Sequence, residues 1–179
     1  MNAFIFTFVM LFFSVLADVL LSKCGIIFSV SAIVIFYLAI SRHSAIVFPL
    51  VCLTGVMLDC LLVYPYMLNS IFLLIVAGVG VLWLINGEFS YGSVPHSTVV
   101  ALLTTIFIII CYLIGIAQGL LYFDLKLFLN ILLNIFINVV GCYALLPLII
   151  HFADKLAVAL SIDTFSVART NYIQKRKEL

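Results

Sequence analysis

The sequence VFPLVCLTGVMLDCLLVYPYMLN, from Val47 to Asn69, decides how the rest of the chain is interpreted. It is long and apolar enough to cross a bilayer, yet Asp59 lies deep inside it. A carboxylate at that depth costs roughly 2.5–3.5 kcal/mol unless it faces protein or water. Gly55 lies one helical turn earlier on the same face and leaves room for another helix or a partner to approach. We therefore expect the remaining segments to form walls around this helix.

The composition is that of a polytopic membrane protein. Of the 179 residues, 67% are hydrophobic and 8% are charged, and the mean hydropathy is +1.42. Soluble domains carry about 25% charged residues, so a soluble fold of this length would not bury so much apolar surface. The net charge of +1 gives no indication of a nucleic-acid partner. Residues 1–21 lack a basic n-region and a small-residue cleavage site, which favours a retained first helix.

Apolar runs separated by polar breaks predict an all-α integral membrane protein with six transmembrane helices, since a span takes roughly 17–25 residues. The predicted helices cover approximately residues 3–21, 26–40, 47–64, 71–85, 98–122 and 127–152. We expect them to form one membrane domain, residues 1–152, followed by a basic cytoplasmic tail, residues 153–179. The segment 26–40 is short for a span, so it must tilt little, thin the bilayer locally or include flanking residues in the span.

The basic residues predict the orientation in the membrane. Of the eight Lys and Arg residues, five lie in the tail, and Arg42 lies in the second loop. With six helices, these regions share one side with the N-terminus, and the positive-inside rule places that side in the cytoplasm. The outward loops would then carry only Lys23 and Lys126. Both termini are therefore predicted to face the cytoplasm.

The sixth predicted helix carries a polar stripe. Asn130, Asn134 and Asn138 lie four residues apart on one helix face, which should turn away from lipid. The stripe either fixes helix register or lines a binding site. Asp59 has the same two interpretations: a structural acid bonded to a polar neighbour such as one of these asparagines, or a contact for a ligand, an ion or a partner helix.

Two further features concern helix ends and helix packing. Gly115 and Gly119 have the G-x-x-x-G spacing that lets two helix backbones approach closely, which predicts a helix–helix contact. Asp18 stands near the end of the first helix, where an interfacial pair with Lys23 is favoured over a functional role.

No set of residues has the spacing of a catalytic or metal site. The three histidines are dispersed, no Ser/His/Asp or Cys/His set is close in sequence, and no glycine-rich phosphate loop is present. The five cysteines are scattered and are interpreted as small buried hydrophobes. The sequence therefore predicts a protein with no enzymatic activity, no cofactor and no metal.

Two stretches of the chain match a known pattern. IIFSVSAIVIFYLAISR, residues 26–42, is followed by GVMLD, residues 55–59, so that Gly55 and Asp59 form G-x-x-x-D after the basic Arg42. Asn134 and Pro147 in the sixth helix precede a basic tail. In these features the chain resembles the rod shape-determining MreD family of small bacterial inner-membrane proteins.

The resemblance implies a non-enzymatic scaffold of the bacterial cell-elongation machinery, which synthesises peptidoglycan. Its partners would be a bitopic MreC-like protein and, through it, an MreB-like filament and a glycan polymerase–transpeptidase pair. The implied six-helix fold is similar to that of the substrate-binding subunits of energy-coupling-factor transporters. The residues taken as partner-binding or structural polar groups are Gly55, Asp59, Arg42, Asn134 and Asn138.

A vitamin-binding subunit of an energy-coupling-factor transporter is the alternative interpretation. Asp59 and the asparagine stripe would then line a polar pocket near the outer face. Such subunits dock through A-x-x-x-A spacing on the first helix, and this first helix lacks that spacing. The outer loops also offer few polar groups for a lid, so the scaffold is favoured. A membrane protein of neither kind is the third possibility.

Overall fold

The computed structural model describes residues 2–41, 44–62, 67–86, 94–122 and 124–160. Within these ranges the chain is entirely helical and has no strand, which confirms the predicted all-α class. Its six helices are α1 (Asn2–Lys23), α2 (Val30–Ser41), α3 (Ser44–Leu62), α4 (Leu68–Asn86), α5 (Val94–Ala117) and α6 (Leu125–Ala159).

Three of the helices are long and apolar enough to cross a membrane. By length and composition these are Ala3–Lys23, Pro95–Ala117 and Leu125–Ala159. The other three helices are apolar but shorter in their described parts. Large apolar side chains are exposed along α1 and α6, where lipid solvates them favourably. The chain is therefore built as a membrane protein.

The short helix α2 lies at the centre of the fold. Every residue of α2 except Val30 is buried, and α2 contacts each of the other five helices. The expectation that the third helix would be central is wrong. α3 exposes an apolar face that includes Leu53, Met57 and Leu61 and packs chiefly against α4 and α1. A helix without any exposed face suits the interior, whereas the bulky face of α3 suits lipid.

The helix that was predicted over residues 26–40 begins later, at Val30. α1 ends at Lys23, and Gly25 follows it with φ +76°. The Ile26 N–H donates to the Leu21 carbonyl at 3.1 Å, which completes a Schellman motif around the glycine. The chain then runs through four non-helical residues, 26–29, which we call the entry segment, before α2 starts.

The predicted helix-packing role of Gly115 and Gly119 is also wrong, since this pair ends α5. α5 stops at Ala117, and Gly119 has φ +70°. The Leu120 N–H donates to the Gly115 carbonyl at 3.0 Å, which is again a Schellman bond. A Cβ on Gly115 would lie 2.7 Å from the side chain of Leu121, so this glycine makes room for the chain as it folds back.

The helix α6 continues past the boundary that was predicted at residue 152 and ends at Ala159. Ala153 and Ala157 are fully buried, so the added turns pack on the bundle. The Tyr37 hydroxyl near the end of α2 donates to the Asp154 carboxylate at 2.9 Å and ties these turns to the centre. Residues 161–179 of the predicted tail lie outside the described residues.

Candidate functional site

The buried carboxylate of Asp18 caps the N-terminus of α2. It accepts hydrogen bonds from the backbone N–H of Val30 at 2.5 Å and of Ser31 at 3.2 Å, and the Ser29 hydroxyl lies 3.5 Å away. A helix leaves its first N–H groups unpaired, and the Asp18 side chain accepts hydrogen bonds from two of them. The interfacial pair with Lys23 that was expected is therefore wrong: Asp18 points into the bundle and Lys23 is exposed.

Asp59 caps the N-terminus of α4, as Asp18 caps the N-terminus of α2. Its carboxylate accepts from the backbone N–H of Asn69 at 2.8 Å and of Ser70 at 3.0 Å, and from the Ser70 hydroxyl at 2.6 Å. A polar neighbour, such as an asparagine of the sixth helix, was one of the expected partners, and the structure places the first turn of α4 there instead. The reason is distance along the chain, because α4 begins only nine residues after Asp59 and folds back against it.

Gly55 makes this contact possible, as the sequence indicated. A Cβ on Gly55 would overlap the Cα of Ser70, so any larger residue would push α4 away from α3. Both Gly55 and Ser70 are buried. The G-x-x-x-D pattern thus has a local physical meaning: the glycine admits the first turn of α4, and Asp59 caps it.

Asn134 of the polar stripe holds the entry segment. Its side-chain carbonyl accepts from the Ile27 N–H at 2.9 Å, and its amide donates to the Tyr112 hydroxyl at 2.9 Å. Non-helical backbone at membrane depth is tolerated only where protein or water satisfies its polar groups. Phe28 of the same segment fits against Gly141, where a Cβ would come within 2.7 Å of the ring.

The remaining asparagines differ in their surroundings. Asn138 is fully buried and donates to Thr105 at 3.1 Å and to the Ala101 carbonyl at 3.4 Å, so it joins α6 to α5. Asn130 is exposed and donates to the Tyr112 hydroxyl at 3.2 Å. The stripe therefore faces protein over its second and third members. Arg42 lies outside the described residues, and its predicted role stays a prediction.

A small cavity with a mixed lining lies where the N-termini of α2 and α4 meet α5 and α6. Its volume is about 30 Å³. Six apolar and six polar residues line it, and the polar ones are Asp18, Ser22, Ser29, Asn69, Thr104 and Asn138. The side-chain Nδ2 of Asn69 is buried and has no hydrogen-bond partner, although the backbone N–H of the same residue is bonded to Asp59.

Sequence reasoning missed Asn69, Ser70 and Ser31 as partners of the two aspartates. The available signal was the N-cap preference for Ser and Asn at a predicted helix start. The interpretation of all five cysteines as buried was also wrong, because Cys24, Cys52 and Cys60 are exposed. Cysteine is apolar enough to face lipid as well as protein.

The arrangement is suited to holding helices together. Within the described part of the chain, no three His, Cys, Asp or Glu residues are grouped so that they could hold a metal ion. Asp18, Asp59 and Asn134 each satisfy backbone N–H groups of another segment. No protein-family model matches the chain, and no curated protein and no solved structure is significantly similar to it.

Proposed function

We propose that the chain is a non-enzymatic scaffold of the bacterial cell-elongation machinery that binds an MreC-like bitopic protein in the inner membrane. The observation that carries this proposal is the use of the buried polar groups. Asp18, Asp59 and Asn134 are engaged in joining one helix to another, while the outer faces of α1 and α6 are apolar. Such a body binds other membrane proteins helix to helix.

The resemblance to the MreD family supports the same proposal. The matching G-x-x-x-D residues, Gly55 and Asp59, form the contact between α3 and α4. This contact makes the two helices one stiff hairpin, because the backbones touch and the carboxylate bonds three donors. A preorganised hairpin loses little conformational freedom when a partner helix packs on it.

The proposed arrangement has six membrane crossings with both termini in the cytoplasm. α2 has 12 residues, which gives about 18 Å of helix against a hydrocarbon core of about 30 Å. The four residues of the entry segment add at most about 13 Å. The second crossing is thus part helix and part irregular chain, and Asp18 and Asn134 satisfy its backbone.

α6 has 35 residues, which corresponds to about 52 Å and exceeds the core by a wide margin. In the proposed topology its last turns, which pack beside the end of α2 through the Tyr37–Asp154 hydrogen bond, lie at the cytoplasmic side and lead into the basic tail. Anionic lipid attracts each nearby basic residue by about 1 kcal/mol. We propose that this end of the molecule faces the cytoplasmic components of the machinery, an MreB-like filament included.

The vitamin-transporter interpretation has one observation in its favour, the small cavity near Asp18 and Asn69. Pockets for drug-sized ligands measure about 300–1,000 Å³, and this cavity measures about 30 Å³. A vitamin would have to open the bundle by displacing the entry segment. The scaffold remains the better supported proposal.

The test is extraction of the tagged protein from its native host in a mild detergent, followed by mass spectrometry of the proteins that accompany it. We expect a bitopic MreC-like protein, with or without a glycan polymerase. An unrelated polytopic membrane protein with the same tag is the control. Recovery of paired ATPases with a second integral subunit would contradict the scaffold and establish the transporter.

A further inference from the structure

A hydrogen bond between two aromatic rings joins the end of α4 to the start of α5. The indole N–H of Trp83, near the end of α4, donates to Nδ1 of His96, in the first turn of α5, at 3.1 Å. His96 is 5% exposed, and Trp83 is partly buried. The bond therefore connects the first four helices to the α5–α6 hairpin inside the protein.

This bond fixes the protonation state of His96. An indole N–H can only donate, so Nδ1 of His96 must hold a lone pair, and the hydrogen of the neutral ring lies on Nε2. Protonation of Nδ1 makes both ring nitrogens donors. Two N–H groups would then face each other at 3.1 Å, and the bond to Trp83 would be lost.

The part of α2 that packs on the imidazole is apolar. The ring centroids of Phe36 and His96 are 6.3 Å apart, and the ring planes are tilted by 54°. Gly80, one turn before Trp83, brings α4 against the same part of α2, because a Cβ there would lie 2.9 Å from the Ala39 Cβ. A charged imidazole is unfavourable in such surroundings, so a protonated His96 is expected to turn towards water.

The other titratable groups on the surrounding helices do not replace His96 in this role. α4 has none, and α2 has Tyr37, whose hydroxyl donates to Asp154 of α6. In α5, Cys111 and Tyr112 lie about four turns from His96. The remaining titratable residues of α6 are Lys126, Cys142, Tyr143, His151 and Lys155. His96 is the titratable group that bonds the indole directly.

Loss of the bond would loosen the α5–α6 hairpin from the first four helices. α5 packs chiefly against α6 and touches α4 only sparsely. The hydroxyls of Thr98 and Tyr143 are 2.7 Å apart and tie the start of α5 to α6. α5 would therefore move together with α6 when it leaves α4.

We propose that the Trp83–His96 bond is a pH-sensitive latch, which holds the start of α5 on the end of α4 while His96 is neutral and opens when His96 is protonated. Histidine is the side chain that ordinarily changes charge between about pH 5 and 8. His96 is the second residue of the span Pro95–Ala117, so it lies near the membrane surface, where protons from water can reach it. The latch is independent of the proposed cell-elongation role.

The first test follows the indole N–H of Trp83, the one tryptophan of the chain. The full chain with isotope-labelled tryptophan, in a lipid nanodisc, gives a single indole signal by NMR, which is recorded from about pH 8 to about pH 5. We expect a one-proton transition from a hydrogen-bonded to a free indole. Protection of this N–H from hydrogen exchange, corrected for the intrinsic effect of pH, should fall at least about fivefold, the effect of one lost hydrogen bond. An indole that stays bonded over the whole range would overturn the proposal.

Two variants assign the transition to one histidine. His96→Asn places a side-chain oxygen near the position of Nδ1 and does not titrate, so its indole should stay bonded over the whole range. His151→Asn is the matched control, because His151 is exposed on α6 and its ring lies against Phe152. This variant should titrate as the unmodified protein does. If His96→Asn keeps the transition, or His151→Asn abolishes it, the proposal is wrong.

Discussion

The junction from α1 to α2 and the junction from α3 to α4 are built from the same parts but are closed to different degrees. The first helix of each pair carries the sequence Asp-x-Leu-Leu near its C-terminus, beginning at Asp18 in α1 and at Asp59 in α3. Each aspartate caps the helix that follows, through the backbone N–H groups of Ser31 and Ser70 among others. Two hairpins in one chain thus use one device, a buried carboxylate at a helix start.

The residue one turn before each aspartate makes the difference. Gly55 lets the backbone of α4 touch α3, whereas Ser14 occupies the corresponding place and accepts a hydrogen bond from the Ser31 hydroxyl at 3.0 Å. The second junction is closed by direct contact, whereas Asp18 of the first lines the cavity, to which Asn69 at the start of α4 also contributes. The comparison shows that the same cap serves both a tight helix pair and an opening at the centre of the bundle.

The largest effect is expected where the tight junction is forced open. Gly55→Leu would drive a side chain into the Cα of Ser70 and should lower the free energy of unfolding by about 4 kcal/mol or more. Gly78→Leu in α4 is the matched control, because a Cβ there meets nothing within 4 Å. Unfolding by SDS titration from mild micelles would measure both. Equal loss in the two variants would contradict the role of the close contact.

The next test compares the caps themselves. Asp59→Leu should leave two N–H groups and one hydroxyl unpaired in a closed junction and lower stability by about 3 kcal/mol. Asp18→Leu should cost about half as much, because water in the adjoining cavity can reach the freed donors. A larger loss for Asp18→Leu would show that the cavity does not relieve the first junction.

Asn134 supports the first junction through its hydrogen bond to the Ile27 N–H of the entry segment. Asn134→Leu should free the Ile27 N–H of the entry segment and lower stability by about 2 kcal/mol. Asn130 lies one turn earlier on the same stripe and is exposed, so Asn130→Leu should change stability by about 0.5 kcal/mol. Hydrogen exchange at residues 26–29 would rise in the first variant alone. If both variants behave alike, Asn134 does not hold the segment.

Features that depend on local spacing could be predicted from the sequence. The helical class follows from apolar runs, the burial of Asn134 and Asn138 from their four-residue spacing, and the close approach at Gly55 from its position one turn before Asp59. Each of these depends on residues within a turn or two of one another, so the helix period alone fixes which side chains share a face.

Whether an apolar helix faces lipid or lies inside the bundle could not be predicted in this way. The residues of α2 are mostly apolar, and an apolar residue is equally suited to lipid and to the centre of a bundle. The central position of α2 was therefore missed. The spacing of Gly115 and Gly119 suits a helix contact and a helix end alike. The partners of Asp18 lie 12 and 13 residues away, beyond a break in the helix whose length the sequence did not define.

The smallest expected effect comes from making the first junction resemble the second. Ser14→Gly removes the hydroxyl that accepts from Ser31, yet Ser31 also interacts with Asp18 and can keep a partner there. The loss of one hydrogen bond and the lower helix propensity of glycine together predict a fall of about 1–2 kcal/mol. Ser14→Ala removes the same hydroxyl with no propensity penalty and should cost only about 0.5 kcal/mol. If Ser14→Gly is instead as stable as the unmodified protein, α2 has moved onto α1 as α4 lies on α3. The residue one turn before the aspartate then decides alone how tightly each hairpin closes.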